Sequence, residues 1–198
     1  MDAKKFKQNL LEELYEPYKK CLQCPLGNLG RTQVVFGHGN PDAELMFIGE
    51  GPGAEEDKQG LPFVGRSGQL LNRILQAVGL DREEVFITNI VKCRPPNNRK
   101  PLPTESETCK RILLKKQIQI IRPQVICTLG SAAIQGLLND YGLKITQIRG
   151  KEFTYEDTRV IPTYHPAYIL RNAKELQFLM QDIQTATNWL KQDQEVLT

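Results

Sequence analysis

The sequence contains no long hydrophobic run and only two histidines. No stretch of about eighteen or more apolar residues occurs in the chain, so no membrane-spanning helix is predicted. Residues 1–20 are charged and amphipathic and lack the apolar core of a signal peptide, which predicts a cytoplasmic, intracellular protein. The net charge of +3 permits a nucleic-acid partner but does not argue for one. Because internal repeats and low-complexity linkers are also missing, residues 1–198 are predicted to form one domain.

The common nucleotide-binding fingerprints are missing as well. The hydrophobic run ending at Ile48 leads into a glycine-rich turn, but the G-K-S/T ending of a P-loop and the G-x-G-x-x-G spacing are absent. Four acids follow instead: Glu50, Glu55, Glu56 and Asp57. Because carboxylates repel phosphate oxygens, the turn does not fit a phosphate cradle. Taken alone, it is typical of a tight, solvated surface loop.

Short apolar runs alternate with helical patterns along the chain. The predicted strands are residues 44–48, 85–91, 125–129 and 160–164. Between the first two strands, Ser67 is expected to cap a helix and Gly79 to end it, and the last helix is predicted at roughly 174–190. This alternation predicts an α/β fold in which a short, mostly parallel, four-stranded sheet carries helices on both faces.

In such folds ligands bind beyond the carboxyl ends of the strands. The acidic turn follows the first predicted strand, Asn89 lies late in the second, and His165 follows the fourth. These groups are therefore expected to meet in one crevice. The other histidine, His38, is interpreted as an ordinary loop residue.

The five cysteines suggest a metal site more than a disulfide framework, because the protein is predicted to be intracellular. Cys21 and Cys24 form a C-x-x-C pair, while Cys93 and Cys109 bracket a proline-rich segment that is predicted to be a loop. Four thiolates suit either an iron–sulfur cluster or zinc, although structural zinc modules usually bring two short-spaced pairs. Four unligated buried thiols are the remaining alternative. Cys127 lies in a predicted strand and is interpreted as a core residue.

The chain closely resembles the family 4 uracil-DNA glycosylases, the iron–sulfur branch of that superfamily, in three segments: GEGPGAEEDKQGLPFVGRSGQLL, FITNIVKCRPPNNRKP with its following cysteine, and YHPAYILR. The resemblance covers nearly the whole chain in order and spacing. It implies a three-layer α/β/α fold and a monofunctional enzyme that flips uracil out of DNA and leaves an abasic site. It also implies a structural 4Fe-4S cluster on Cys21, Cys24, Cys93 and Cys109.

The same resemblance implies partners, and two competing hypotheses remain beside it. The expected partner is uracil-containing DNA, single-stranded or in a duplex with U·G or U·A, bound by a nucleoid-associated monomer whose product passes to abasic-site repair enzymes. The competing hypotheses are a non-catalytic iron–sulfur DNA-binding module of the same fold and an electron-transfer protein. Retention of Glu50, Asn89 and His165 together argues against the module.

The resemblance also implies roles for individual residues. Glu50 would stabilise the positive charge that develops on the sugar and orient a water, while His165 would donate a hydrogen bond to uracil O2. Asn89 carries an amide that can pair with uracil N3–H and O4. The ordinary alternatives are that Glu50 is a surface acid, His165 a structural histidine and Asn89 a strand-end asparagine.

The remaining assignments concern base selection and DNA contact. The substrate-binding set is completed by Gly51, Pro52, Glu56 and Phe63. Phe63 would stack on uracil, the side chain of Glu56 would exclude the methyl group of thymine, and the backbone of Gly51 and Pro52 would approach the base.

The predicted DNA-binding residues are Arg94, Arg99, Leu170 and Arg171, together with the basic segment 92–100. A wedge into the base stack is expected from Ile169, Leu170 or Arg171. The alternatives are that Phe63 is a core residue, that Glu56 is a solvated surface acid and that the basic residues form a solubilising face.

Overall fold

The computed structural model describes residues 2–195, which form a six-stranded sheet between two layers of helices. The strands are β1 (His38–Gly39), β2 (Leu45–Gly49), β3 (Phe86–Asn89), β4 (Val125–Leu129), β5 (Phe153–Tyr155) and β6 (Thr158–Thr163). Their order across the sheet is β1-β3-β2-β4-β6-β5. The four central strands are parallel, as predicted, and the α/β fold class is confirmed.

The prediction of four strands missed the two edge strands, which pair antiparallel to their neighbours. β1 spans two residues, and a Cβ on Gly39 would lie 2.0 Å from the Val85 carbonyl oxygen, so only glycine permits this close pairing. β5 spans three partly exposed residues. Segments this short have no apolar alternation that a sequence pattern could reveal.

The helices cover both faces of the sheet. They are α1 (Ala3–Tyr15), α2 (Ala54–Gln59), α3 (Arg66–Ala77), α4 (Pro103–Cys109), α5 (Lys115–Ile121), α6 (Ser131–Leu138), α7 (Ile145–Ile148), α8 (Pro166–Ile169) and α9 (Leu176–Glu195). One apolar core forms between the sheet and α1, α5 and α6, and a second forms between the opposite face and α3 and α9. Every residue of β2 and β4 is buried, as expected for parallel strands covered on both faces. Within residues 2–195, no helix has the length and apolarity that a membrane crossing requires.

Two helix predictions and one loop prediction need correction. The helix predicted to begin after Ser67 has Gly65 as its N-cap instead, because the Glu56 carboxylate holds the Gly65 amide in place just before the helix. The last helix begins at Leu176 and extends to Glu195. The proline-rich loop is shorter than predicted, because its second half forms α4, which starts at Pro103. Proline is tolerated there because the first helical amide needs no intrahelical acceptor.

Candidate active site

A cleft of about 680 Å³ lies beyond the carboxyl ends of the parallel strands. Three chain segments meet there: the turn after β2, the end of β3 and the residues that follow β6. Ten of the residues singled out in the sequence line it: Glu50, Gly51, Pro52, Glu56, Phe63, Asn89, Arg99, His165, Leu170 and Arg171. The structure therefore places carboxylate, amide and imidazole groups around one space that is large enough for a nucleotide.

Glu50 is the first residue after β2 and faces this cleft. Burial raises the pKa of its carboxyl group, and the positive charge of Lys100, which also lines the cleft, acts in the opposite direction. A weakly hydrated carboxylate interacts more strongly with a nearby cation than a surface carboxylate does. Glu50 is thus suited to stabilise positive charge inside the cleft.

Glu56 fixes the turn that borders the cleft. Its Oε1 accepts hydrogen bonds from the backbone amides of Val64 at 2.9 Å and Gly65 at 2.8 Å. A Cβ on Gly53 would lie 2.8 Å from Oε2, so a side chain at position 53 would force the carboxylate to shift. Sequence reasoning missed this bonding role, because no residue pattern announces a carboxylate whose partners are backbone amides.

The other two acids of the turn lie outside the cleft lining. Asp57 is buried, and its carboxylate accepts from the Thr32 amide at 2.9 and 3.0 Å, which ties α2 to the segment before β1. Glu55 is exposed. The four acids therefore differ in environment: Glu50 and Glu56 line the cleft, Asp57 makes structural hydrogen bonds and Glu55 faces solvent.

Phe63 occupies a constrained turn with a φ of 53°, in the left-handed region that non-glycine residues rarely adopt. Arg82 donates to the carbonyl oxygens of Pro62 at 2.5 Å and Phe63 at 3.2 Å. A Cβ on Gly68 would lie 1.9 Å from the Phe63 carbonyl oxygen, so the turn also needs that glycine. The Phe63 ring lies 5.6 Å from the His165 ring, measured between centroids. The hydrogen bonds from Arg82 to the two carbonyl oxygens therefore hold the Phe63 ring beside the imidazole.

Replacing Arg82 with Met is expected to lower kcat/KM about tenfold for the activity that the sequence resemblance implies, release of uracil from DNA, because the Phe63 turn loses both carbonyl bonds and must be ordered at each binding event. The measurement is steady-state kinetics on a uracil-containing oligonucleotide. The control is Arg73→Met on the exposed side of α3. Equal kinetics for the two variants would contradict a positioning role for Arg82.

Asn89 ends β3 and is buried. Its Oδ1 has no hydrogen-bond partner among the described residues. A Cβ on Gly49 would lie 2.4 Å from that oxygen and 2.6 Å from the Phe63 ring, so Gly49 is what allows these groups to approach each other. A buried acceptor without a partner is costly unless a ligand satisfies it. Asn89 therefore offers a vacant acceptor to whatever enters the cleft.

His165 precedes α8 and caps it. Its Nδ1 accepts from the Ala167 amide at 3.0 Å, so the neutral ring carries its proton on Nε2. Desolvation lowers the pKa of His165 from 6.5 to about 4. The imidazole is therefore neutral at neutral pH and presents an N–H donor.

The four predicted ligand cysteines lie in one region of the molecule. Cys93 and Cys109 are buried, and Cys21 and Cys24 pack against the same core. Burial, together with the smaller effect of charge on the other thiols, raises the pKa of Cys93 to about 12 and that of Cys109 to about 11. Within residues 2–195, no three His, Cys, Asp or Glu side chains converge tightly enough to hold a single metal ion. Cys127 is buried in β4, in the interior of the sheet.

Arg31 lies beside this thiol group. Its Nη2 donates to the Cys21 carbonyl oxygen at 2.6 Å, and its charge lowers the pKa of Cys93 against the larger effect of burial. Its Nε is buried and has no partner among the described residues. A donor left free beside four thiols fits a negatively charged group bound to them.

Three of the four predicted DNA-binding residues, Arg99, Leu170 and Arg171, line the cleft. Leu170 and Arg171 are exposed, whereas Ile169 belongs to the core. Arg99 lines the cleft and is paired with the buried carboxylate of Glu105, at 2.7 and 2.8 Å. Arg94 lies outside the lining, and its Nε donates to Asn98 Oδ1 at 2.8 Å. The prediction of a basic face along residues 92–100 is wrong for Lys92, which is 1% exposed.

The chain is similar in sequence to known proteins over most of its length. The model of the uracil DNA glycosylase superfamily matches residues 36–191. A type-4 uracil-DNA glycosylase of Thermotoga maritima is 47% identical over 94% of this chain and 98% of its own length. A type-4 uracil-DNA glycosylase of Sulfurisphaera tokodaii is 44% identical over 87% of this chain and 81% of its own. One of Archaeoglobus fulgidus is 43% identical over 81% of this chain and 83% of its own.

Proposed function

This chain belongs to the uracil DNA glycosylase superfamily, and we propose that it hydrolyses the bond between uracil and deoxyribose in DNA, leaving an abasic site. The observation that carries the proposal is the partnerless Oδ1 of Asn89, buried beside Phe63 in a cleft that also holds Glu50 and His165. An amide oxygen accepts the N3–H of uracil, whereas cytosine presents an acceptor at N3. The vacant acceptor therefore selects uracil over cytosine.

Bond cleavage separates charge in a way that the cleft can stabilise. As the C1′–N1 bond breaks, the sugar becomes positive at C1′ and uracil leaves as an anion with its charge mainly on O2. The Glu50 carboxylate stabilises the cation and orients a water, whose oxygen bonds to C1′ as its proton passes to Glu50 or solvent. The Nε2–H of His165 donates to O2, and uracil then takes a proton from solvent.

The base must leave the duplex to reach the cleft, because its reacting bond is inaccessible inside the stack. Phe63 provides an aromatic face for the extruded uracil, and the backbone of Gly51 and Pro52 borders the same space. Glu56 lines the cleft as well, and we propose that its carboxylate, held by its two amide bonds, excludes the methyl group of thymine at C5. Leu170, exposed at the rim, is proposed as the wedge that fills the vacated stack.

Phosphate contacts are assigned to the cations at the rim. Arg171 and Arg99 line the cleft, and Arg94 lies in the adjoining segment. Contacts of this kind release counterions, so binding is expected to weaken as salt rises. We propose that the protein works as a one-domain monomer on nucleoid DNA in the cytoplasm.

Four thiols and the neighbouring Arg31, whose buried Nε has no partner among the described residues, fit a 4Fe-4S cluster, and we propose Cys21, Cys24, Cys93 and Cys109 as its ligands. When bound, the cluster supplies a structural link between the chain after α1 and the segment between β3 and α5. That link fixes the position of the segment carrying Arg94 and Arg99. Uracil hydrolysis itself proceeds through the residues of the cleft.

Replacing Cys109 with Ala is expected to abolish iron retention and the broad absorbance near about 400 nm, because one of the four thiolate ligands is lost. The melting temperature should fall by roughly 10 °C, since the metal bond contributes to folding. The matched control is Cys127→Ala, which removes a buried thiol outside the proposed ligand set and should retain iron. Equal iron in both variants would refute the ligand assignment, and zinc without iron would refute the cluster.

The function is tested with oligonucleotides bearing U·G, U·A or T·G pairs, assayed with and without alkali. We expect free uracil from the first two, no thymine from the third, and strand breaks only after alkali. A strand break without alkali would need a lysine that attacks the sugar as a Schiff-base nucleophile, and such lysines are usually activated by burial or a neighbouring cation. Lys100 lines the cleft but is exposed, so we expect no such attack. Breaks before alkali would contradict the monofunctional assignment. Tight DNA binding without uracil release would favour the non-catalytic module instead.

A further inference from the structure

A buried lysine lies between the cysteine site and the uracil-reading end of β3. Lys92 is 1% exposed, and its Nζ donates to the backbone oxygen of Asn89 at 2.8 Å and to Thr88 Oγ1. The Thr88 hydroxyl in turn donates to the Phe36 carbonyl oxygen at 2.9 Å. The ammonium group is thus bonded to the last two residues of β3, one of which is the proposed uracil reader.

The same lysine also contacts the cysteine site. Lys92 precedes Cys93 in the chain, and its backbone amide is hydrogen-bonded to the sulfur of Cys109. A single residue therefore bonds to a proposed cluster ligand through its backbone and to Asn89 through its side chain.

The side chain of Lys92 is closely fixed to the end of β3. It is buried, and both of its hydrogen-bond acceptors belong to that end of the strand. Because Lys92 and Cys93 are adjacent in the chain, a group that fixes Cys93 also restrains the backbone of Lys92. The backbone of Asn89 is therefore linked to the cysteine site through a single residue.

We propose that Lys92 is a positioning residue that couples the cysteine site to the uracil-reading end of β3. The proposal rests on the proposed function: a bound cluster would fix Cys93 and the adjoining Lys92, and the hydrogen bonds of the Lys92 side chain fix the backbone of Asn89, which lines the cleft. The two sites then stabilise each other. By thermodynamic linkage, if the cluster strengthens uracil binding, uracil must slow the loss of the cluster.

The chain offers a matched control in Lys110, which directly follows Cys109 and is also buried. Its Nζ donates to Asn139 Oδ1 at 2.7 Å and pairs with Glu107 at 3.0 Å, beside α6 and away from β3. Both lysines neighbour a proposed ligand in sequence, but only Lys92 contacts Asn89 among these two. A merely structural contribution of a buried lysine would affect both variants alike.

The experiment compares wild type with Lys92→Met and Lys110→Met, all loaded with iron. Two quantities are measured: the dissociation constant for free uracil, and the rate at which a chelator removes iron with and without saturating uracil. Lys92→Met is expected to bind uracil about tenfold more weakly, a loss typical of one charge-assisted hydrogen bond. Uracil should slow iron removal in the wild type and in Lys110→Met, but not in Lys92→Met.

A second variant guards against a failure of Lys92→Met to fold. Thr88→Val keeps the side-chain shape but removes one acceptor of the ammonium, so it should show the same changes at a smaller size. Uracil affinity and uracil-dependent iron retention that match the wild type in Lys92→Met, or in Thr88→Val if the first variant does not fold, would overturn the coupling. Wild-type protein that releases no uracil from DNA would instead refute the proposed function.

Discussion

Replacing Glu50 with Gln is expected to lower kcat for uracil release by about 10²–10⁴-fold, with a much smaller change in KM. The substitution keeps the shape of the side chain but removes the negative charge that faces C1′. That charge matters most when the sugar is cationic, so its loss acts on the transition state more than on substrate binding. Single-turnover kinetics on a U·G duplex measure the effect, with Glu55→Gln as the control from the same acidic turn.

The stability of Glu50→Gln should change in the opposite direction. Because burial raises the pKa of Glu50, the folded protein binds a proton more readily than the unfolded chain. The ionised carboxylate therefore destabilises the fold at neutral pH, and this penalty disappears below the unfolded pKa of about 4.5. Urea unfolding should show that Glu50→Gln is more stable than the wild type at pH 7 and equal to it at pH 3. A variant that loses both activity and stability at pH 7 would point to a structural role.

The same raised pKa predicts how the rate depends on pH. Activity needs the ionised carboxylate, so the rate should fall as pH decreases, beginning at a higher pH than the titration of an exposed glutamate would give. In Glu55→Gln the profile should be unchanged.

The parallel centre of the fold was predictable, because β2 and β4 are short, largely apolar runs that are buried on both faces. The meeting of Glu50, Asn89 and His165 followed from the same pattern, since each lies at or just after the end of a parallel strand. Topology alone brings such residues together.

The details that escaped prediction depend on hydrogen-bond partners that no residue pattern identifies. A lysine in a basic segment is normally exposed, and Lys92 is buried only because Thr88 and the Asn89 backbone accept its protons. The carboxylate of Glu56 bonds to amides eight and nine residues later, through a turn whose shape the sequence does not specify. In both cases at least one partner is a backbone group, which has no residue-type signature.

His165→Gln is expected to lower kcat by about 10²–10³-fold, because the uracil anion loses the donor that faces O2. His38→Gln is the matched control: His38 is the only other histidine and lies at the edge strand β1, outside the cleft lining. The control should retain wild-type kinetics. Similar losses in both variants would indicate a general effect of histidine replacement on folding and would remove His165 from the mechanism.

The charge state of His165 gives this prediction a second readout. With its pKa at about 4, the ring is neutral across the working range and should add no inflection to the rate near pH 6.5. The unfolded chain binds the proton between pH 6.5 and about 4 while the fold does not, so His165 stabilises the protein above pH 6.5 and this contribution is lost as pH falls through that window. Unfolding measured at pH 7 and pH 5 should therefore show a smaller pH-dependent loss in His165→Gln than in His38→Gln. A rate inflection near pH 6.5 that is present in the wild type and in His38→Gln but absent in His165→Gln would show that the His165 imidazole takes up a proton near that pH. That result would contradict the neutral donor.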